Sequence, residues 1–324
     1  MRFNPLEHPI CFTNPLRLTT SSWVQHLPFG MTLIDLLQPG IFVELGTHYG
    51  VSYCGFCQAV QALGTGTACY AVDNWQGDEH TGAYEEQVYE KLRQHHDVRY
   101  GEFSRLLKMN FDDALPYFAD SSIDLLHIDG YHTYEAVRHD FETWLPKLSE
   151  RAIVLIHDIN ERDRQFGVWR YWDELRDRYP TFAMLHEHGL GVVAVGTQAS
   201  AALAPLFEAV PEEQAHLREF FFRLGSRITL QMQEADFVSR LQHVRNLQEL
   251  VSQRDTELAN AKTHIDSLTA MLEQKQQELN ALQQQITMQS AAVPAATDLE
   301  APQKPPGNPL SKLRDKIVPP REGE

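Results

Sequence analysis

The chain has 324 residues, 43% of them hydrophobic and 10% aromatic, and a formal charge of −16. That is enough for one substantial core plus an accessory part. The acidity argues against nucleic acid as a partner, because it opposes electrostatic binding to phosphate backbones. No run of ~18 apolar residues appears, which argues against a transmembrane segment. The opening MRFNPLEHPICF has no basic start followed by an apolar stretch, and predicts a cytoplasmic protein without a signal peptide.

Residues 1–30 read as an N-terminal segment. From 31 to 197, short apolar runs alternate with amphipathic segments. IFVEL (41–45), CYAVD (69–73), RLLKM (105–109), IDLLHID (123–129), AIVLIHD (152–158) and GVVAVG (191–196) predict strands; GAYEEQVYEKLRQHH and YEAVRHDFETWLPKL predict helices between them. The alternation predicts an α/β, Rossmann-like, doubly wound sheet, mostly parallel and covered on both faces. Cys54 and Cys57 form C-x-x-C, but no second pair completes a zinc site, and the spacing suits the first turn of a helix entering a core.

The stretch VELGTHYGVSY (43–53) follows the first strand and opens a helix. Gly46, Thr47 and Gly50 supply a tight turn where backbone can approach a ligand closely. The spacing G-x-x-x-G leaves a pyrophosphate cradle incomplete, and Glu44 at the strand end would repel a diphosphate while suiting a cation. Asp73, ending the second strand, suits ribose hydroxyls; Trp75 offers a ring to stack on a base or wall a pocket. S-adenosylmethionine has a ribose, an adenine, a sulfonium and no phosphate, and fits this set better than a nicotinamide dinucleotide. The following loop, WQGDEHTGAY, places Asp78, His80 and Tyr84 where a substrate could be contacted.

LLHIDGYHTYEAVRHD (125–140) passes from a buried strand to a polar helix and sets Asp129 and His132 as D-G-x-H. Asp158 ends the next strand, in VLIHDIN. Strand ends in an open parallel sheet face one cleft. Two carboxylates there can hold a hard divalent ion, with His157 and Asn160 as further candidate donors. Equally, Asp129 could cap the helix that follows, Asp158 could anchor a loop, and His132 could be a buried pocket histidine.

Residues 198–233 read as a helical connector, 234–290 as a coiled coil and 291–324 as a disordered tail. Val244, Val251, Leu258, Ile265, Leu272, Leu279 and Ile286 repeat every seven residues; the companion position carries Leu247, Arg254, Ala261, Leu268, Lys275, Leu282 and Gln289. This seam predicts a parallel homo-oligomer.

Taken in order, VELGTHYGVSY, AVDNWQGDEHTGAY, IDLLHIDGYHTYEAVRHDFETWLPKLS and VLIHDIN resemble a class I S-adenosylmethionine-dependent methyltransferase. WVQHLPFG, RDRQFGVWRYW and HEHGLGVVAVG are similar to the same group, the sugar and small-molecule O-methyltransferases found with surface-glycan biosynthesis enzymes. The resemblance spans about residues 20–197. It implies a carbohydrate or glycan acceptor, partnership with glycan-assembly enzymes, acids at the positions of Asp129 and Asp158 that bind Mg²⁺ or another divalent cation, and a proton acceptor at His132. The family's oxygen ligand beside the second acid is absent here, where the neighbours are His157 and Ile159. Two other readings stay open: a non-catalytic oligomeric scaffold with a degenerate methyltransferase head, and a nucleotide-sugar-dependent glycosyltransferase.

Overall fold

The computed structural model describes residues 3–78, 82–83, 86–163 and 165–291. The chain divides into two units, residues 1–242 and 243–324.

The first unit holds a seven-stranded sheet: β1 (Ile41–Leu45), β2 (Ala68–Asp73), β3 (Ser104–Lys108), β4 (Ile123–Ile128), β5 (Leu148–His157), β6 (Thr181–Met184) and β7 (Leu190–Ala194). Their spatial order is β3-β2-β1-β4-β5-β7-β6. The first five pair in parallel, whereas β7 runs antiparallel to both β5 and β6. The expected doubly wound, mostly parallel sheet is present. TFAM, which forms β6, was not among the expected strands: it is four residues long, sits at the sheet edge, and buries only alternate side chains.

Both faces are covered. One carries α1 (Leu27–Leu37) and α2 (Val51–Leu63); the other carries α4 (Tyr134–Trp144) and α5 (Val168–Arg176), while α3 (Glu86–Tyr100) precedes β3. Central strands bury both faces, which is why β1 and β4 read as near-continuous apolar runs. The N-terminal segment is not peripheral. Ile10, Cys11, Trp23, Val24, Leu27 and Phe29 belong to the first core, as do Phe221 and Ile228 of the long helix α6 (Pro211–Ala291). The boundaries expected at 30, 197 and 233 therefore fall within one unit. Cys54 and Cys57 are buried in α2 with free thiols, as core packing requires.

In the second unit α6 continues to Ala291, and every described residue from 243 onward is exposed. Nearly all of the expected tail lies outside the described residues. Among the described residues no helix is long and apolar enough to cross a membrane.

Candidate active site

The chain leaves β1 outward to β2 and β3, then returns to β4 on the other side of β1. The cleft at such a reversal, at the carboxyl ends of the strands, is where open α/β sheets take ligands. Here it is a cavity of about 620 Å³, lined by the loop after β1, by Asp73 and Asn74, by Asn110 and Phe111, by Asp129 to His132, and by His157, Asp158, Phe166 and His188. Ser21, Ser22 and Trp23 of the N-terminal segment close one side.

The β1 side is built from backbone. Gly46 has φ +86°, and a Cβ there would run into the carbonyl of Asp129 across the reversal. Gly50, at φ +73°, begins α2. The Asp73 carboxylate ties this loop down. Its Oδ2 accepts from the backbone N–H of Thr47 at 2.8 Å and of His48 at 2.9 Å; its Oδ1 accepts from the N–H of Trp75 at 2.7 Å. A carboxylate has about four acceptor sites, so roughly one stays available to the cavity.

Two residues expected to touch a cofactor lie behind this wall. Glu44 is fully buried, and its Oε2 meets Nδ1 of His127 at 2.8 Å. Burial raises its pKa against the pull of that histidine. Trp75 donates its indole N–H to the His48 carbonyl at 3.0 Å and packs on Tyr89, with ring centroids 4.7 Å apart. Neither lines the cavity. Asp78 lies in a two-residue strand, and His80 and Tyr84 fall outside the described residues.

The β4–β5 side is built from side chains. Thr133 caps α4, its hydroxyl accepting from the Ala136 N–H at 3.2 Å. Asp129 therefore does not serve as that cap, and its side chain is turned to the cluster at the strand ends. His157 Nδ1 lies 3.2 Å from Asp129 Oδ1 and 3.3 Å from Asp158 Oδ2. Both are ion-pair contacts rather than well-aligned hydrogen bonds, since that nitrogen faces two oxygens at once. Asp158 also meets His132 Nδ1 at 3.0 Å through Oδ2, and His188 Nδ1 at 2.8 Å through Oδ1. The His132 ring stacks on Phe166, centroids 4.5 Å apart and 13° from parallel.

These contacts set the charges. Burial alone would lift the pKa of Asp158, but the histidines around it, His157 foremost, hold it well below the ordinary carboxylate range. Asp129 is lowered for the same reason. For His132, burial is the largest single influence and opposes the charged ring, but the hydrogen bond to Asp158 and the charges of Asp158 and Asp129 together outweigh it and raise the pKa. His157 is raised well above its ordinary value by the two carboxylates despite full burial. His188 is raised by its bond to Asp158. Asp129, His132 and Asp158 also bring one ligand atom each to within 4.8 Å of one another, a donor set that suits a divalent cation.

Residues 43–159 match the family model of a methyltransferase domain. That stretch carries the glycine loop, Asp73, Asp129, His132 and Asp158. An uncharacterised protein of Sinorhizobium fredii (strain NBRC 101917 / NGR234), y4gI, is 49% identical over 194 residues, or 60% of this chain and 21% of the relative. The chain thus spans about a fifth of that relative's length. Among solved structures, the O-methyltransferase TomG of Streptomyces achromogenes, involved in tomaymycin synthesis and in complex with SAM, is 15% identical. It aligns over 55% of this chain and 82% of its own, with a TM-score of 0.41. The SAH-bound methyltransferase PaMTH1 of Podospora anserina is 14% identical over 52% of this chain and 77% of its own, with a TM-score of 0.40.

Sequence reasoning gave His188 and Phe166 no role in this cleft. His188 sits in the turn between β6 and β7 and reaches Asp158 across 30 residues. Its signal was present in HEHGLG, but only the antiparallel fold-back of that hairpin shows which carboxylate it meets.

Proposed function

We propose that the protein is an S-adenosylmethionine-dependent O-methyltransferase acting on a hydroxyl of a carbohydrate or glycan intermediate, with His132 as general base. The observation that carries this reading is the meeting, in one cavity, of the Asp73-tied glycine loop and the Asp158–His132 pair. The loop takes the cofactor: Gly46, Thr47 and Gly50 give close backbone approach, and Asp73 offers its remaining acceptor to the ribose. No phosphate is needed, and the acidic surroundings favour a sulfonium.

Methyl transfer is an in-line displacement. The acceptor oxygen attacks the methyl carbon, the carbon–sulfur bond breaks, and the sulfonium becomes a neutral thioether. Most of the acceleration comes from holding oxygen and methyl at near-attack distance. A sugar hydroxyl is a weak nucleophile and must lose its proton as it attacks. His132 takes that proton, and Asp158 at its Nδ1 holds the ring and stabilises the imidazolium formed. Phe166 stacked on the ring fixes its plane. A divalent cation bound by Asp129 and Asp158 would supply acidity at the acceptor oxygen while His132 takes the proton. Tyr131, Phe111 and Asn110 give the cavity the mixed aromatic and amide wall that suits a sugar ring.

The test is incubation of the full chain with methyl-labelled S-adenosylmethionine and a panel of glycan intermediates, read by mass, with calorimetry of the cofactor alone. Label on a hydroxyl supports the reading. A protein that binds neither the cofactor nor its demethylated product is the scaffold, and one that prefers a nucleotide sugar is the glycosyltransferase.

A further inference from the structure

Among the described residues of the second unit, which all belong to α6, nothing packs on the helix. Val244, Val251, Leu258, Ile265, Leu272, Leu279 and Ile286 are each 49 to 71% exposed. Spaced by seven, they form one continuous seam, position a of a heptad. Position d carries Leu247, Ala261, Leu268 and Leu282, interrupted by Arg254, Lys275 and Gln289.

We propose that this seam is covered by a second copy of the same chain, as a parallel, in-register, two-stranded coiled coil. Three observations choose that occupant. First, parallel pairing sets every a residue against its own copy, so seven apolar layers form without a break, and the polar d residues face only each other in three layers. Antiparallel pairing sets each a residue against a d residue and spoils twice as many layers. Second, both cations at d carry their own counterions. Arg254 bonds Glu257 at 2.7 Å and Lys275 bonds Glu278 at 2.7 Å, each glutamate standing at position g on the seam's edge. Third, Glu257 at g and Lys262 at e have the five-residue spacing that meets across a parallel pair. From His243 to Ser290 no g–e pairing sets like charges together.

The same residues choose the number of strands. Val and Ile at four of the seven a positions, with Leu at d, favour two strands. Arg254 and Lys275 can lay their stems along the seam and keep their heads in water at the edge of a two-stranded coil; a three-stranded coil encloses d more fully. Each assembly then carries two methyltransferase domains.

Light scattering on the full chain at micromolar concentration should give twice the chain mass of 37.1 kDa. Ala261→Cys, placed at a d layer, should cross-link to its own copy on mild oxidation, since the four native cysteines are buried. Ile265→Asp with Leu272→Asp should give a monomer that keeps the near-ultraviolet circular dichroism of the first unit. Arg254→Leu with Lys275→Leu, which leaves the helix and seam intact, should admit assemblies larger than two. A monomeric native chain, a mass of three or four chains, or no cross-link at Ala261→Cys overturns the proposal.

Discussion

The two sides of the cleft are made of different materials. At the ends of β1 and β2 the wall is backbone: a left-handed glycine and three N–H groups gathered by the single carboxylate of Asp73. At the ends of β4 and β5 it is side chain: two carboxylates contacted by His132, His157 and His188. A backbone wall has one shape and no titration. A cluster of acids and imidazoles changes with every proton. The first arrangement suits a cofactor that must sit still, and the second suits an acceptor that must lose a proton.

The sharpest break of this contrast is His132→Ala. The rate should fall by ~10²–10⁴-fold, the usual share of general acid–base catalysis, with cofactor affinity unchanged by calorimetry. Lost cofactor binding instead would place His132 on the wrong side of the cleft. Asp73→Ala should do the reverse. It strips three backbone N–H groups of their acceptor and removes the proposed ribose contact, so cofactor binding should weaken by about 1.5–3 kcal/mol in titrations.

A pH series sharpens the contrast further. As the proposed base His132 must be neutral, and its pKa is raised above 6.5, so on that reading the rate should climb with pH through a point above that value. Asp158→Asn removes the charge that lifts it, and the climb should move to lower pH. A limb that stays in place would show that another group limits the rate. Measured in the presence of a chelator, the native profile also decides the cation: a collapse at all pH values assigns the carboxylates to a metal, and no change leaves them to the histidines.

The smallest effect concerns Asp140, in α4 and outside the cleft. Burial pushes its carboxyl up to about 7. The folded chain therefore holds this proton more tightly than the unfolded one, and stability is lost as pH rises from 3.8 through 7. Asp140→Asn should recover about 1–2 kcal/mol in denaturant melts at pH 8 and nothing near pH 3.5, the low end of what a shift of this size allows after solvent relaxation.

The backbone side was the more legible in sequence, and for a physical reason. Gly46 and Asp73 stand at strand ends and Gly50 at the start of α2, positions that the apolar runs and the glycine spacing mark directly. Glu44 and Trp75 also sit at strand ends, yet alternate facing in a strand and an inward indole N–H turn both away from the cavity. On the other side, the nearness of His132 to Asp129 could be read from D-G-x-H, but the partner of its Nδ1 is Asp158, brought alongside only by the pairing of β4 with β5. The competing role of Asp129 as a helix cap fell to Thr133, a better placed oxygen one residue before the helix begins. The N-terminal segment gave the weakest signal. Trp23 lines the cavity and anchors the core at once, and WVQHLPFG carries no period that announces either.

Gly46 has a consequence for anyone who would rebuild this domain. Its missing side chain is what lets the loop after β1 lie against the turn that bears Asp129, so the two sides meet without a spacer. They are therefore not interchangeable parts. A chimera that imports the β4 turn from another domain inherits a demand for glycine across the seam, and a library that varies position 46 alone will displace Asp129 before it alters any contact to a ligand.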